Sequence, residues 1–112
     1  MEQARPNERR NRSRQRALLA GKLATPGAAE TIDCVIRNIS STGAMVETPS
    51  PQLIPNEIQL MQVKEGFAYD AEVIWRRGNR IGLILKDRHD LKEPVEGNLK
   101  ILRAIWTQMA LR

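Results

Sequence analysis

Six arginines, Arg5, Arg9, Arg10, Arg12, Arg14 and Arg16, precede the first lysine, Lys22, of this 112-residue chain. A guanidinium is planar and permanently charged. It bonds two phosphate oxygens at once, or N7 and O6 of a guanine, and it also stacks on a base face, whereas an ammonium offers only a compact point charge. The preference for arginine therefore suits a flat, phosphate-bearing ligand better than bulk attraction alone. A second set of short hydrogen-bonding residues follows at Asn38-Ile39-Ser40-Ser41-Thr42-Gly43. Asn and Ser side chains serve a base edge or the neighbouring backbone equally well, and glycine tolerates positive φ, so the stretch also reads as a well-made hairpin corner with no further duty.

The charge is unevenly placed. The net charge is +5, and residues 1–22 carry seven basic residues against Glu2 and Glu8, while residues 23–112 carry 11 of each sign. All the excess lies on one arm, which points to an anionic partner met by that arm. Residues 1–16 contain no apolar residue after Ala4, leaving nothing to bury, so they are expected to be a disordered arginine-rich arm ordered by its ligand. The rest, 17–112, is long enough for one domain with a single core.

The elements that would hold these groups read mainly as β-strands. Ala17–Ala24 is a short apolar run. Ile32, Cys34 and Ile36 alternate with Asp33, Val35 and Arg37, and Ala44 and Val46 alternate with Met45 and Glu47, the period of two of half-buried strands. Prolines 49 and 51 close this pair. Glu57–Val63 alternates again, Lys64-Glu65-Gly66 turns, and Phe67–Trp75 follows with Ala71, Val73 and Trp75 on one face. Arg76-Arg77-Gly78-Asn79 reads as a turn, Arg80–Leu85 as the returning strand, and Lys86–Asp90 as a charged linker holding the single histidine, His89. Six short antiparallel strands hide their edges most simply by closing into a small β-barrel. Leu99, Leu102, Trp106 and Met109, with Ile105 beside them, then mark a C-terminal helix whose apolar stripe covers the barrel.

The inventory argues against catalysis. One histidine, one cysteine (Cys34, on an apolar strand face) and no glycine-rich phosphate loop leave no disulfide, metal cluster or nucleophilic set. No apolar run follows the N-terminal arginines and none approaches the length of a membrane helix, so a cytoplasmic protein without membrane insertion is expected.

The order of parts, an RxxxR element, a strand, then (D/N)xSxxG leading into a second strand, resembles the PilZ domain family, bacterial receptors for the second messenger cyclic di-GMP. Further strands containing Glu72-Val73-Ile74-Trp75-Arg76 and Arg80-Ile81-Gly82-Leu83 extend the resemblance over nearly the whole chain. It implies a PilZ β-barrel that is not an enzyme and has no cofactor beyond the nucleotide. Arg10 and Arg14, with Arg9 beside them, would grip phosphates and guanines, and Asn38, Ser40 and Gly43 would meet a guanine from the barrel. The arm also admits the register Arg12 and Arg16. Trp75, on the face of Ala71 and Val73, fits the core, or at its strand end offers a stacking surface with Arg76 as a further cation; Arg37 fits a pairing with a carboxylate or the rim of the site. A downstream protein partner is implied. A nucleic-acid-binding barrel is the less favoured alternative, because Trp75 is the one aromatic placed to stack beside the turn, and a barrel acting only as an adaptor is another.

Overall fold

The computed structural model describes residues 15–26 and 30–110. Among the described residues, six strands, β1 (Gln15–Ala24), β2 (Thr31–Ile39), β3 (Gly43–Glu47), β4 (Glu57–Gln62), β5 (Phe67–Arg77) and β6 (Arg80–Asp90), precede the α-helix α1 (Leu99–Ala110). The strands close a barrel in the order β1-β2-β3-β6-β5-β4, every pair antiparallel. Closure pairs β1 with β4 from Gly21↔Gln62 to Ala24↔Gln59. It joins the two outermost strands, whose free edges are the usual liability of so small a sheet.

The expected alternation fills the barrel. Cys34, Ile36, Ala44 and Val46 are buried together with Leu23, Leu60, Ile81 and Leu83. Each large aliphatic among them contributes roughly 1.5–3 kcal/mol by leaving water. Gly21 belongs to this interior: a Cβ there would lie 3.0 Å from Cys34 Sγ and 3.0 Å from Ile36 Cγ1, so the chain needs glycine where β1 crosses the two side chains of β2.

A smaller cluster lies outside the barrel. Leu102 is 2% exposed and packs with Ala24, Met61, Ala68 and Leu91, and Leu99, Ile105 and Trp106 cover its rim. The apolar stripe of α1 is thus spent on the strands of its own chain, as its spacing predicts. The Trp106 indole N–H donates to the Val63 carbonyl at 2.8 Å, fixing the helix to the β4–β5 connection. At the approach to α1, the amide and ammonium of Lys92 bond Asp90 and hold its carboxyl below the usual carboxylate range.

Two expectations about elements change. Residues 86–90 continue β6 instead of forming a linker, and His89 Nε2 lies 3.2 Å from Asp70 Oδ2, whose Oδ1 accepts from Gln59 Nε2 at 3.1 Å. Charged residues belong there because alternate positions on a barrel's outer face meet water. The β5–β6 turn is also shorter than expected. Arg76 and Arg77 are strand residues, Arg77 pairs with Arg80, and Gly78-Asn79 alone reverses the chain. Gly78 takes φ +60°, which suits the first position of a two-residue type II′ hairpin turn.

Candidate ligand-binding face

Two β-bulges shape one side of the barrel. On β2, Ile36 pairs with Val46 but Asn38 pairs with Met45, so Arg37 is an extra residue against β3. Without it Asn38 would follow Cys34 and Ile36 into the core. With it, Ile39 takes the buried position and Asn38 shares a face with Met45, which lies between buried Ala44 and Val46. On β5, Val73 pairs with Leu83 but Trp75 pairs with Gly82, which makes Ile74 the extra residue. Trp75 is thereby turned out of the core and stands 41% exposed, correcting the expectation that it shares the face of Ala71 and Val73. Bulges re-aim side chains in this way and concentrate near functional sites.

The consequence is an in-register row across five strands: Arg16 on β1, Asn38 on β2, Met45 on β3, Gly82 on β6 and Trp75 on β5. At about 4.8 Å between strands, Asn38 and Trp75 are roughly 14 Å apart along it. Gln15, the first described residue, pairs with Ile39. Arg16 pairs with Asn38, so β1 enters the barrel beside the corner that holds Asn38. Arg9, Arg10 and Arg14 themselves, and the expected disorder of residues 1–14, lie outside the described residues; Gln15 and Arg16, expected in the arm, are instead strand residues of β1 through their pairing with β2.

The corner is built as follows. Ser40 N–H donates to the Gly43 carbonyl at 2.8 Å. Ser40 Oγ accepts from the amides of Thr42 (3.3 Å) and Gly43 (3.1 Å), and its hydroxyl donates to Gly43 O at 3.3 Å. One donor and two acceptor sites are all a hydroxyl has, so Ser40 is engaged in holding the turn. Gly43 does not use positive φ. Its need for glycine is the neighbouring strand, since a Cβ would stand 3.2 Å from the Leu83 carbonyl oxygen. Asn38 differs from both, because its Oδ1 is buried with no hydrogen-bond partner among the described residues. An orphaned acceptor of this kind costs stability unless something donates to it.

The cations nearby divide into two groups. Arg37 Nη1 and Arg80 Nε reach the two oxygens of Glu47 at 3.4 and 2.8 Å, the carboxylate pairing considered for Arg37. Arg76 donates to the carbonyls of Pro51 (3.2 Å) and Ile54 (2.6 Å) and to Asn56 Oδ1 (3.2 Å). It clamps the 50–56 loop instead of standing beside Trp75 as a ligand cation. Sequence reasoning missed Gly82, although a glycine inside a strand signals close approach by another group. It also missed the Glu47–Arg80 pair, for which side chains in separate strands gave no sequence signal.

Among the described residues no group of His, Cys, Asp and Glu is placed to hold a metal ion, and no helix is long and apolar enough to cross a membrane. No curated protein matches the chain. The crystal structure of the PilZ domain of CeSA from a cellulose-synthesizing bacterium covers 86% of this chain and 97% of its own, with 18% identity and a TM-score of 0.56. An uncharacterized Legionella protein covers 87% and 92%, with 20% identity and a TM-score of 0.47. The first of these shares the barrel fold. The family model of the PilZ domain matches residues 8–97, a span that takes in both the arginine segment and the bulged face, and the chain belongs to the PilZ domain family.

Proposed function

We propose that this protein is a cytoplasmic receptor for cyclic di-GMP, in which the arginine arm closes over the nucleotide against the outer face of the barrel. PilZ domains are a known family of cyclic di-GMP receptors that act as binding and adaptor domains and often engage partner proteins. The observation that carries the reading for this chain is the seat of the strand that follows the arginine motif: Gln15 and Arg16 pair with Ile39 and Asn38, at the start of the corner. Arg10 and Arg14, with Arg9, supply the phosphate and guanine contacts. Asn38 supplies an acceptor to a guanine edge, Ser40 and Gly43 hold the corner in shape, and Trp75 supplies a stacking surface farther along the same row.

Ordering the arm draws on the contact energy by about 2–5 kcal/mol, which leaves an affinity sensitive to each arginine. The ordered arm then presents a surface that the free protein lacks, and a downstream protein reads it. Isothermal titration of the full chain with cyclic di-GMP tests the proposal. Saturable heat that is lost in Arg14→Ala is the expected result, and a flat titration of the wild-type chain would overturn it.

A further inference from the structure

The two tryptophans of the chain are both seated on glycines, and the difference between the seats is informative. A Cβ on Gly66 would stand 2.8 Å from the ring of Trp106, which projects from α1 onto the strands and gives its indole N–H to Val63. That seat serves the packing of α1 on the strands. A Cβ on Gly82 would stand 2.1 Å from Nε1 of Trp75, 2.3 Å from Cε2 and 2.7 Å from Cδ1. Contacts under 3.0 Å cannot be relieved by small adjustments, so the indole rests directly on the backbone of β6. Yet this tryptophan is 41% exposed, and its N–H donates to no acceptor among the described residues.

The arrangement costs the fold something. Glycine inside a strand weakens it, and Gly82 has no positive φ to justify glycine by its own conformation. The Ile74 bulge also interrupts the β5–β6 ladder. Neither feature improves the core, since Trp75 without the bulge would continue the buried face of Ala71 and Val73. Together they set one indole directly against the barrel wall, in register with Met45, Asn38 and Arg16.

We infer that Gly82 is a positioning residue for ligand binding: it seats Trp75 flat against β6 so that the outer face of the indole is a preformed stacking platform for a purine of the bound nucleotide. The inference rests on the receptor reading above and deepens it. A ring already fixed before the ligand arrives loses little rotamer freedom on binding. A side chain at position 82 tilts the ring off the wall and removes the platform without touching the ligand.

A double-substitution cycle in the full-length chain tests this, with cyclic di-GMP titrated calorimetrically and each variant checked by thermal melting. Trp75→Ala is expected to weaken binding by about 5- to 150-fold, the range of one base–aromatic stack. Gly82→Ala should lose a comparable factor while Trp75 is present and nothing further in the Trp75→Ala background, where no ring remains to displace. Wild-type affinity in Gly82→Ala, or the same loss in both backgrounds, would overturn the inference while leaving the receptor reading standing. No heat from the wild-type chain would remove both. Should Gly82→Ala alone fail to fold, the doubly substituted chain decides: folding and binding like Trp75→Ala supports the seat, and failure to fold contradicts it.

Discussion

Asn38 carries a cost in the free protein that its proposed role explains, and replacing it with leucine exposes the trade. Oδ1 of Asn38 is buried without a partner among the described residues, a condition worth roughly 1–3 kcal/mol against the folded state. Leucine has a similar shape and no acceptor to satisfy, and it lies beside the methionine of β3. Asn38→Leu is therefore expected to stabilise the ligand-free chain by about 1 kcal/mol, which for a domain of this size raises Tm by about 4–8 °C. The same change removes the acceptor proposed for a guanine edge. Wild-type protein at a nucleotide concentration of about 100 Kd gains about 2.7 kcal/mol, and Asn38→Leu should gain much less at that concentration. Paired melting curves with and without cyclic di-GMP read both effects. An Asn38→Leu protein that melts at or below the wild-type temperature and still shows the full nucleotide shift would refute the reasoning on both counts.

Arg76→Ala should lower stability by about 1–3 kcal/mol through loss of charge-assisted bonds to Pro51, Ile54 and Asn56, with nucleotide affinity unchanged; a large affinity loss in titration would return Arg76 to the ligand site. Leu102→Ala should cost about 2–5 kcal/mol, because Leu102 is the buried anchor of α1, and urea melts measure it. Burial pushes the Cys34 thiol up to about 12, with the neighbouring Asp33 carboxylate adding to the effect. The native chain should thus resist thiol reagents at neutral pH and react as it unfolds. Because the fold favours the protonated thiol, its contribution to stability is full below pH 9 and declines as pH rises from 9 toward 12; urea melts across that window should show the decline.

Alternation and turn chemistry made most of the barrel readable: Cys34, Ile36, Ala44 and Val46 are buried where the period of two puts them, although Ile32 of the same expected face is 40% exposed, and Leu102 is the buried residue of the helix stripe. What the pattern could not convey was the pair of bulges. A bulge adds one residue without a residue-type signature, so Asn38 reads as continuing the inward face of Cys34 and Ile36, and Trp75 that of Ala71 and Val73. The two side chains that matter most to the proposed site are those for which strict alternation gives the wrong face. The motif placed Asn38 and Ser40 at a corner without revealing that Ser40 spends its hydroxyl on the turn. The charged end of β6 was hidden for a different reason, because Lys86–Asp90 has the composition of a linker and becomes a strand only through its partners on β5. The Gly82 seat was in principle legible as a glycine inside a strand.

The most direct measurement is an amide and indole NMR titration of the full-length, isotope-labelled chain with cyclic di-GMP. Its two tryptophans supply opposite reporters: Trp75 on the outer row and Trp106, which ties the helix to Val63. If the arm and the corner converge on one nucleotide, the Trp75 indole, the amides of residues 38–43 and the arm arginine resonances shift together and saturate together, while the Trp106 indole stays in place. Absent shifts, or shifts centred on Trp106 and α1 with the Asn38–Gly43 amides unmoved, would contradict that convergence.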